Sequence, residues 1–249
     1  MKNALPVSRP LTTVDVVIFT VRDHALQVLL IRRTRDAGEP FPDSWALPGG
    51  FIDTQRDADL DACAQRKLKE KTGVDAPYLE QLGSWGNARR DPRGWSATHA
   101  YFALMAAESL DLTPGANASD AQWHAVRGDH VTVRLAFDHK HILKAAIARL
   151  RSKVEYTSLP AFLMPAVFTL TELQQMYEAV LGRDLEKKAF RTRFLAADLL
   201  QSVPGVREGA NRPAQLYSLR DRRNAHVFAR PFGNSVHDGG RAGASSVQP

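Results

Sequence analysis

A glycine turn followed by a charged helix is the part of the sequence best suited to phosphate chemistry. The stretch 45–74 places Gly49 and Gly50 after a short apolar run and Arg66 and Glu70 on a later helix. Glycine lets backbone approach an anion closely, and a helix N-terminus attracts negative charge. Read as an i, i+4 surface pair, Arg66 and Glu70 would contribute only about 0.3–0.5 kcal/mol. The layout predicts a diphosphate site.

Further cations could contact the same ligand. Arg32 directly follows an apolar run, and Arg90, Asp91 and Arg93 belong to a charged turn that contains Pro92 and Gly94. Guanidinium groups on a rigid turn suit phosphate or ribose oxygens. The alternative for this turn is a solvent-exposed hairpin without a ligand.

A second basic group indicates nucleic-acid binding. Four cations lie within seven residues, at Lys187, Lys188, Arg191 and Arg193, on a helix that follows a tight turn. This is the position of a recognition helix, which enters the major groove of DNA. Arg207 and Arg212 on the following hairpin could contact flanking phosphates. The alternative is an ordinary solvated helix face.

The elements that must position the first group form a sheet with an internal helix. Runs rich in β-branched and apolar residues predict strands at 12–21, 26–31, 45–47, 78–85, 98–106 and 123–126. Leu60, Cys63, Ala64 and Leu68 follow the spacing of a one-faced helix over residues 60–71. We therefore expect an α/β or α+β sandwich, with Cys63 packed inside.

The second half of the sequence predicts a winged helix-turn-helix. Asp138 is placed to cap a connector or dimer helix over residues 139–154. Thr169 and Glu172 form a capping box for a helix that Gly182 ends, and Asp184 is placed to cap a second helix reaching about residue 200. A wing follows over residues 204–213, with a strand at 214–219.

Prolines and composition suggest the domain limits. Pro160 and Pro165 interrupt the chain after the connector helix. We expect a ligand-binding domain at 1–137, a connector at 138–160, a DNA-binding domain at 161–230 and a disordered tail at 231–249.

The charge distribution supports two different roles. The formal net charge is +6, and residues 151–249 hold 14 Lys and Arg against 9 Asp and Glu. A basic C-terminal part favours a polyanion partner, although a solvated surface would look the same.

The single cysteine permits no internal disulfide, and neither a leader nor a membrane-spanning apolar run is present, so we expect a cytoplasmic protein.

The diphosphate stretch resembles the Nudix box, whose pattern is G-x5-E-x7-R-E-U-x-E-E-x-G-U with U a bulky aliphatic residue. The ends match, at residues 47–52 and 66–74, but the spacing from Gly50 to Arg66 is two residues longer than the pattern. The glutamate positions other than Glu70 hold Ala58, Lys67 and Lys71. The resemblance implies a frame built for glutamate-held metal that has lost most of its metal ligands.

This loss argues against catalysis. Hard divalent cations need several converging oxygen ligands, and lysine ammonium groups repel them. Substitute carboxylates could come from Asp53, Asp57, Asp59 and Asp61 if the longer loop folded back. We expect no required cofactor, with Mg²⁺ needed only if hydrolase activity is retained.

Residues 12–219 as a whole resemble Nudix-related transcriptional regulators of NAD metabolism. The shared features include the Leu135–His139 run, the Thr169–Glu172 start and the Asn211–Tyr217 end. The resemblance implies a homodimeric repressor that binds double-stranded operator DNA and senses ADP-ribose or a related NAD metabolite. The alternatives are a Nudix hydrolase of ADP-ribose with an accessory C-terminal domain, and a ligand-gated protein-interaction module.

Overall fold

A mixed β-sheet with helices on both faces forms the first part of the chain. The computed structural model describes residues 9–36, 38–73, 78–106, 118–208, 213–222 and 224–232. Among these, the sheet strands are β1 (Leu11–Arg22), β2 (Ala25–Arg33), β3 (Trp45–Ala46), β4 (Gly49–Phe51), β5 (Tyr78–Asn87), β6 (Ser96–Leu104) and β7 (Ala118–Ala125). The predicted strands are confirmed with bounds shifted by a few residues, and β4 is additional.

The central strand β1 connects the whole sheet. It pairs parallel with β6 and antiparallel with β2 and β4, giving the order β3-β2-β1-β6-β5, with β7 also paired to β2. The predicted hairpin between β1 and β2 is confirmed, and Asp23 and His24 both adopt positive φ in its two-residue turn. Two successive positive φ values define a type I′ turn, whose twist matches that of paired strands.

Alternating side chains along the strands divide the core into two layers. Val16 and Ile18 face the helix α1 (Leu60–Thr72), which buries Cys63 against them as predicted. Val17 and Phe19 face the opposite layer, which contains the helix α2 (His139–Val154). Successive residues of a strand point to opposite faces, so one strand contributes to both layers.

The bounds of α2 agree with the sequence, but the expected cap was wrong. Asp138 occupies the N-cap position without making a side-chain cap hydrogen bond. Its carboxylate instead accepts two hydrogen bonds from the guanidinium of Arg90, at 2.9 and 3.0 Å. A buried guanidinium competes successfully for a carboxylate because an unpaired buried charge is costly.

The second part is a winged helix with three paired strands. Its elements are β8 (Phe168–Thr169), α3 (Leu170–Leu181), α4 (Lys187–Ala196), β9 (Leu200–Arg207) and β10 (Ala214–Leu219). The capping box of Thr169 and Glu172 is confirmed, and Gly182 ends α3 with a φ of 70°. The cap expected from Asp184 was wrong, because Glu186 accepts the free N–H groups of Lys188 and Ala189.

The segment between the two parts is buried rather than exposed. Residues Leu159–Leu163 form a 3-10 helix whose apolar side chains join the same core layer as α2 and α3. The guanidinium of Arg151 on α2 donates to the carbonyl of Val180 on α3, and Arg183 pairs with Glu155. These contacts hold the connector helix against the winged helix.

The chain after the wing completes the second core, and this core includes Phe232, two residues beyond the expected start of the tail at residue 231. Phe228 and Phe232 are buried, with ring centroids 5.3 Å from Phe194 and 5.4 Å from Tyr177 respectively. The backbone N–H of Phe232 donates to the carbonyl of Glu155. The remainder of the expected tail, residues 233–249, lies outside the described residues.

In the part of the chain that the structure describes, no helix has the length and apolar character to cross a membrane.

Truncating Phe232 tests whether this segment is part of the folded domain. We expect Phe232→Ala to lower the free energy of unfolding by about 3 kcal/mol, because a buried ring is removed from an aromatic cluster. Urea unfolding followed by circular dichroism measures the change. Val227→Ala is the control, because Val227 is 65% exposed and its truncation should change stability by less than about 0.5 kcal/mol. Equal stability of both variants and the parent would show that the segment contributes nothing.

Candidate functional site

A cavity of about 560 Å³ opens between the sheet, helix α1 and the start of α2. It is lined by backbone and side chains from β1, β2, β4, α1, the turn 88–95 and the first residue of α2. The lining includes Gly49, Gly50, Arg66, Glu70, Arg90, Asp91 and Arg93, which are all but one of the residues predicted to bind a ligand. The structure therefore brings the separate sequence signals together in one place.

Arg32 is the exception among the predicted ligand residues. Its side chain hydrogen-bonds the carbonyl of Asp43 and lies 3.6 Å from that residue's carboxylate, and it does not line the cavity. Its neighbour Arg33 lines the cavity instead and pairs with Glu39 at 2.6 Å. Consecutive strand residues face opposite sides of a sheet, so Arg33 rather than Arg32 faces the cavity.

Arg66 is held by two carboxylates. Its guanidinium makes two hydrogen bonds of 2.6 Å to Asp57 and one of 2.9 Å to Glu70. The hydrogen bond from Arg66 lowers the pKa of Asp57 below its usual range, although burial opposes this shift. Glu70 is consequently engaged in an ion pair at the edge of the cavity, which leaves it less available to a cation.

The four aspartates that could have replaced metal ligands do not converge. Asp57 binds Arg66, Asp59 caps α1 through the N–H of Ala62, and Asp61 accepts from the hydroxyl of Tyr101. Of the four, only Asp53 lines the cavity. The loop therefore does not bring these four carboxylates together, and no group of three or more metal-ligating side chains occurs among the described residues.

Two lysines from α1 line the cavity beside Glu70. Lys71 is only 6% exposed, and burial lowers its pKa, an effect that Glu70 opposes and Lys67 reinforces. Lys67 lies against the glycine turn, because a Cβ added at Gly50 would come within 3.0 Å of the lysine Nζ. Gly50 has a φ of 149°, so both its backbone conformation and the space around it favour glycine.

A buried charge network forms the floor of the cavity. Asp15 on β1 lies 3.6 Å from Nε2 of His139 and 3.8 Å from Arg90, and accepts a 2.7 Å hydrogen bond from Thr98. Burial acts to raise the pKa of Asp15, but His139, Thr98 and Arg90 together bring it below the usual value. Nδ1 of His139 accepts the N–H of Leu47, which places the ring proton on Nε2, facing Asp15.

Arg90 and Arg93 differ in their availability to a ligand. Arg90 is 6% exposed and is committed to Asp138 and Asp15, so it positions the floor of the cavity. Arg93 is exposed, pairs with Asp91 at 2.9 Å and lies over the exposed ring of Phe51. Only the second guanidinium is placed on the rim, where it can reach a bound molecule.

The lining residues that were not predicted from the sequence include Asp15, Arg33, Phe137 and His139. Arg33, Phe137 and His139 all face the cavity, and the Phe137 ring lies 5.1 Å from His139 with the Arg33 guanidinium above it. The positive φ of Phe137, 52°, is uncommon for a residue with a side chain and turns the chain into α2. The run 135–139 contained the available signal for Phe137 and His139.

The cations predicted to bind DNA separate into two sets. Lys187 and Lys188 are exposed on the first turn of α4, and Arg191 lies one turn further, 3.4 Å from the hydroxyl of Thr171. Arg193 points the other way, with its guanidinium between the rings of Phe228 and Phe232 at 4.6 and 4.0 Å. Its role in this structure is therefore packing.

The wing carries the remaining predicted contacts. Arg207 at the end of β9 pairs with Glu172 of the capping box at 2.8 Å and is about half exposed. Arg212 lies outside the described residues.

Comparison with protein families divides the chain in the same way. The NUDIX domain model matches residues 11–145, and the model of the NrtR DNA-binding winged helix domain matches residues 160–219. The chain thus consists of a Nudix domain followed by a winged helix domain. Members of the Nudix class generally use Mg²⁺ for hydrolysis.

Individual relatives match across both domains. The chain is 49% identical over 208 residues to the ADPR responsive transcriptional repressor of Acinetobacter baylyi, covering 84% of this chain and 81% of that one. It resembles Shewanella oneidensis NrtR solved in complex with a 27mer DNA, with 42% identity, a TM-score of 0.78, and 89% and 99% of the two chains covered. The NUDIX domain of that protein solved with ADP ribose matches 59% of this chain and 94% of its own, at 43% identity and a TM-score of 0.52. This chain belongs to the NrtR family of Nudix-related transcriptional regulators.

The pair of Asp57 and Arg66 gives a pH-dependent prediction. We expect Asp57→Asn to lower the free energy of unfolding by about 3 kcal/mol near pH 7, because it leaves a largely buried guanidinium short of its main partner. The folded-state pKa of Asp57 is depressed, so the wild-type stabilisation is complete above the unfolded pKa and disappears as pH falls through the folded one.

The difference in the free energy of unfolding between Asp57→Asn and the wild type should therefore shrink as the pH falls below the pKa that Asp57 has in the unfolded chain. Urea unfolding at a series of pH values measures it. Asp53→Asn serves as the control, because the Asp53 carboxylate accepts a hydrogen bond from the exposed backbone N–H of Gln55 and pairs with no guanidinium among the described residues. A pH-independent difference would contradict the assignment.

Proposed function

We propose that the protein is a DNA-binding transcriptional repressor whose affinity for its operator changes when ADP-ribose or a related NAD metabolite occupies the Nudix cavity. The observation that carries the proposal is the match across both domains to a relative solved on DNA. The Acinetobacter relative is described as responsive to ADPR, which supports the choice of effector.

The cavity has suitable dimensions and chemistry for such an effector. Its volume of about 560 Å³ falls within the range of small-molecule sites. Lys67, Lys71 and Arg93 supply cations for a diphosphate, whereas Asp91 and Glu39 offer acceptors for ribose hydroxyl groups. Phe51 and Phe137 provide apolar surface beside them.

Helix α2 links the cavity to the winged helix. Its N-cap residue, Asp138, holds Arg90 in the cavity floor, and Arg151 near its other end donates to Val180 on α3. An effector that displaces the floor would alter the placement of the winged helix and shift a two-state population.

We further expect the protein to act as a homodimer in the cytoplasm. A homodimer with two recognition helices would bind a near-palindromic operator, with half-sites about 34 Å apart or a multiple of this distance. A cytoplasmic location follows from a role on the chromosome. The proposed domains are the ligand-binding domain 1–137, the connector 138–160 and the DNA-binding domain, whose limit of 230 should extend to include Phe232.

Substitutions on α4 test the DNA-binding face. We expect Lys188→Ala combined with Arg191→Ala to weaken binding to the promoter of the protein's own gene and to lower the slope of log affinity against log salt by about two for each recognition helix engaged. Mobility shifts at several salt concentrations measure both quantities. Lys187 and Arg207 should give similar but smaller effects.

The control removes the same charge elsewhere. Arg22→Ala with Arg127→Ala alters two exposed cations of the Nudix domain, for which the structure shows no side-chain ion pair among the described residues. This variant should bind the promoter like the wild type. Equal losses in the two double variants would indicate a nonspecific charge effect, and no specific binding by the wild type would refute DNA recognition.

Hydrolysis of ADP-ribose remains the alternative function, favoured by the carboxylates of Glu70 and Asp53 in the cavity. Incubation with ADP-ribose and Mg²⁺ or Mn²⁺ tests it. We expect no turnover above background for the wild type. Turnover that disappears in Glu70→Gln would instead identify a working Nudix enzyme.

A further inference from the structure

The cationic side chains that line the cavity form two sets: guanidinium groups paired with carboxylates, and lysine ammonium groups without an ion pair among the described residues. Four guanidinium groups face the cavity, and each has a carboxylate partner: Arg33 with Glu39, Arg66 with Asp57 and Glu70, Arg90 with Asp138, and Arg93 with Asp91. Lys67 and Lys71 have no ion pair with any described residue. The net positive charge available to an anion therefore lies on these two lysines.

Both lysines stand where the Nudix pattern places glutamates. Lys67 and Lys71 sit on one face of α1, four residues apart, and Glu70 between them is tied to Arg66. A Mg²⁺ ion at this position would meet two ammonium groups and one engaged carboxylate, whereas it needs converging oxygen ligands. The residues present do not fit the metal that the Nudix fold family uses.

We propose that the ammonium groups of Lys67 and Lys71 take the electrostatic place of the divalent cation, so that the cavity binds a diphosphate ester without any metal. This proposal rests on the proposed function, because it assumes a diphosphate-containing effector. A diphosphate that is esterified at both ends carries one negative charge on each phosphorus, which two ammonium groups balance.

The position of each lysine suits this role. The Lys67 ammonium lies at the backbone of Gly50, where the absence of a Cβ leaves room for an anion to approach. Lys71 has a buried stem and lines the same cavity, so its charge is poorly solvated before a ligand binds. A bound anion would remove that cost, because a buried charge is stabilised by an opposite charge.

Titration calorimetry of the full-length protein with ADP-ribose tests metal independence directly. The titration is run once in EDTA and once in excess Mg²⁺. We expect dissociation constants that agree within about twofold. Binding in Mg²⁺ that disappears in EDTA would overturn the metal-free assignment while leaving ADP-ribose as the effector. Absence of binding under both conditions would overturn both proposals.

Variants test the two lysines. Lys67→Gln combined with Lys71→Gln should weaken ADP-ribose binding in EDTA by at least about tenfold, since charge-assisted contacts to phosphate are lost. Lys69→Gln removes one charge from an exposed position on the same helix that does not line the cavity, and it should bind normally.

Folding of each variant is checked by thermal unfolding. Lys71→Met, which keeps the length and apolar character of the buried stem, replaces Lys71→Gln if the latter is unstable. Unchanged affinity in folded variants would show that the lysines do not hold the diphosphate.

Discussion

The pairing of buried charges around Asp15 is the constraint on which the site depends. Asp15 belongs to the central strand, Arg90 to the turn after β5, and Asp138 and His139 to the start of α2. Because each group is costly to bury alone, the strand, the turn and the helix must come together in one arrangement. The cavity floor and the origin of the connector helix are thus fixed by the same contacts.

The site keeps the Nudix frame, but of the glutamates in the Nudix pattern it retains only Glu70. Gly50 and Arg66 keep structural tasks: the glycine gives the turn its conformation, and the arginine ties Asp57 to α1. Under the proposed function, the cavity-facing positions of α1 need not hold a metal and can therefore change. Exchange of carboxylates for ammonium groups there reverses the charge offered to a ligand.

Sequence patterns predicted most of the fold and part of the site. Local signals were reliable: the capping box at Thr169, the glycine stop at Gly182 and the bounds of α2 all appear in the structure. Two of the errors concern competition between distant groups. Asp138 prefers Arg90 to its own helix, and Arg193 packs against Phe228 and Phe232. No local pattern shows such partners, which lie 48 residues away in the first case.

The core of the winged helix depends on aromatic rings from the end of the described chain. Phe232 contacts Tyr177 on α3 and stacks on Phe190 of α4, although it follows both helices and the wing in sequence. The core of the domain is therefore complete only when the segment that carries Phe228 and Phe232 is present. A chain that ended at the wing would carry the basic helix without two of the rings that pack against it, so the packing of the DNA-binding helix depends on residues that follow the wing.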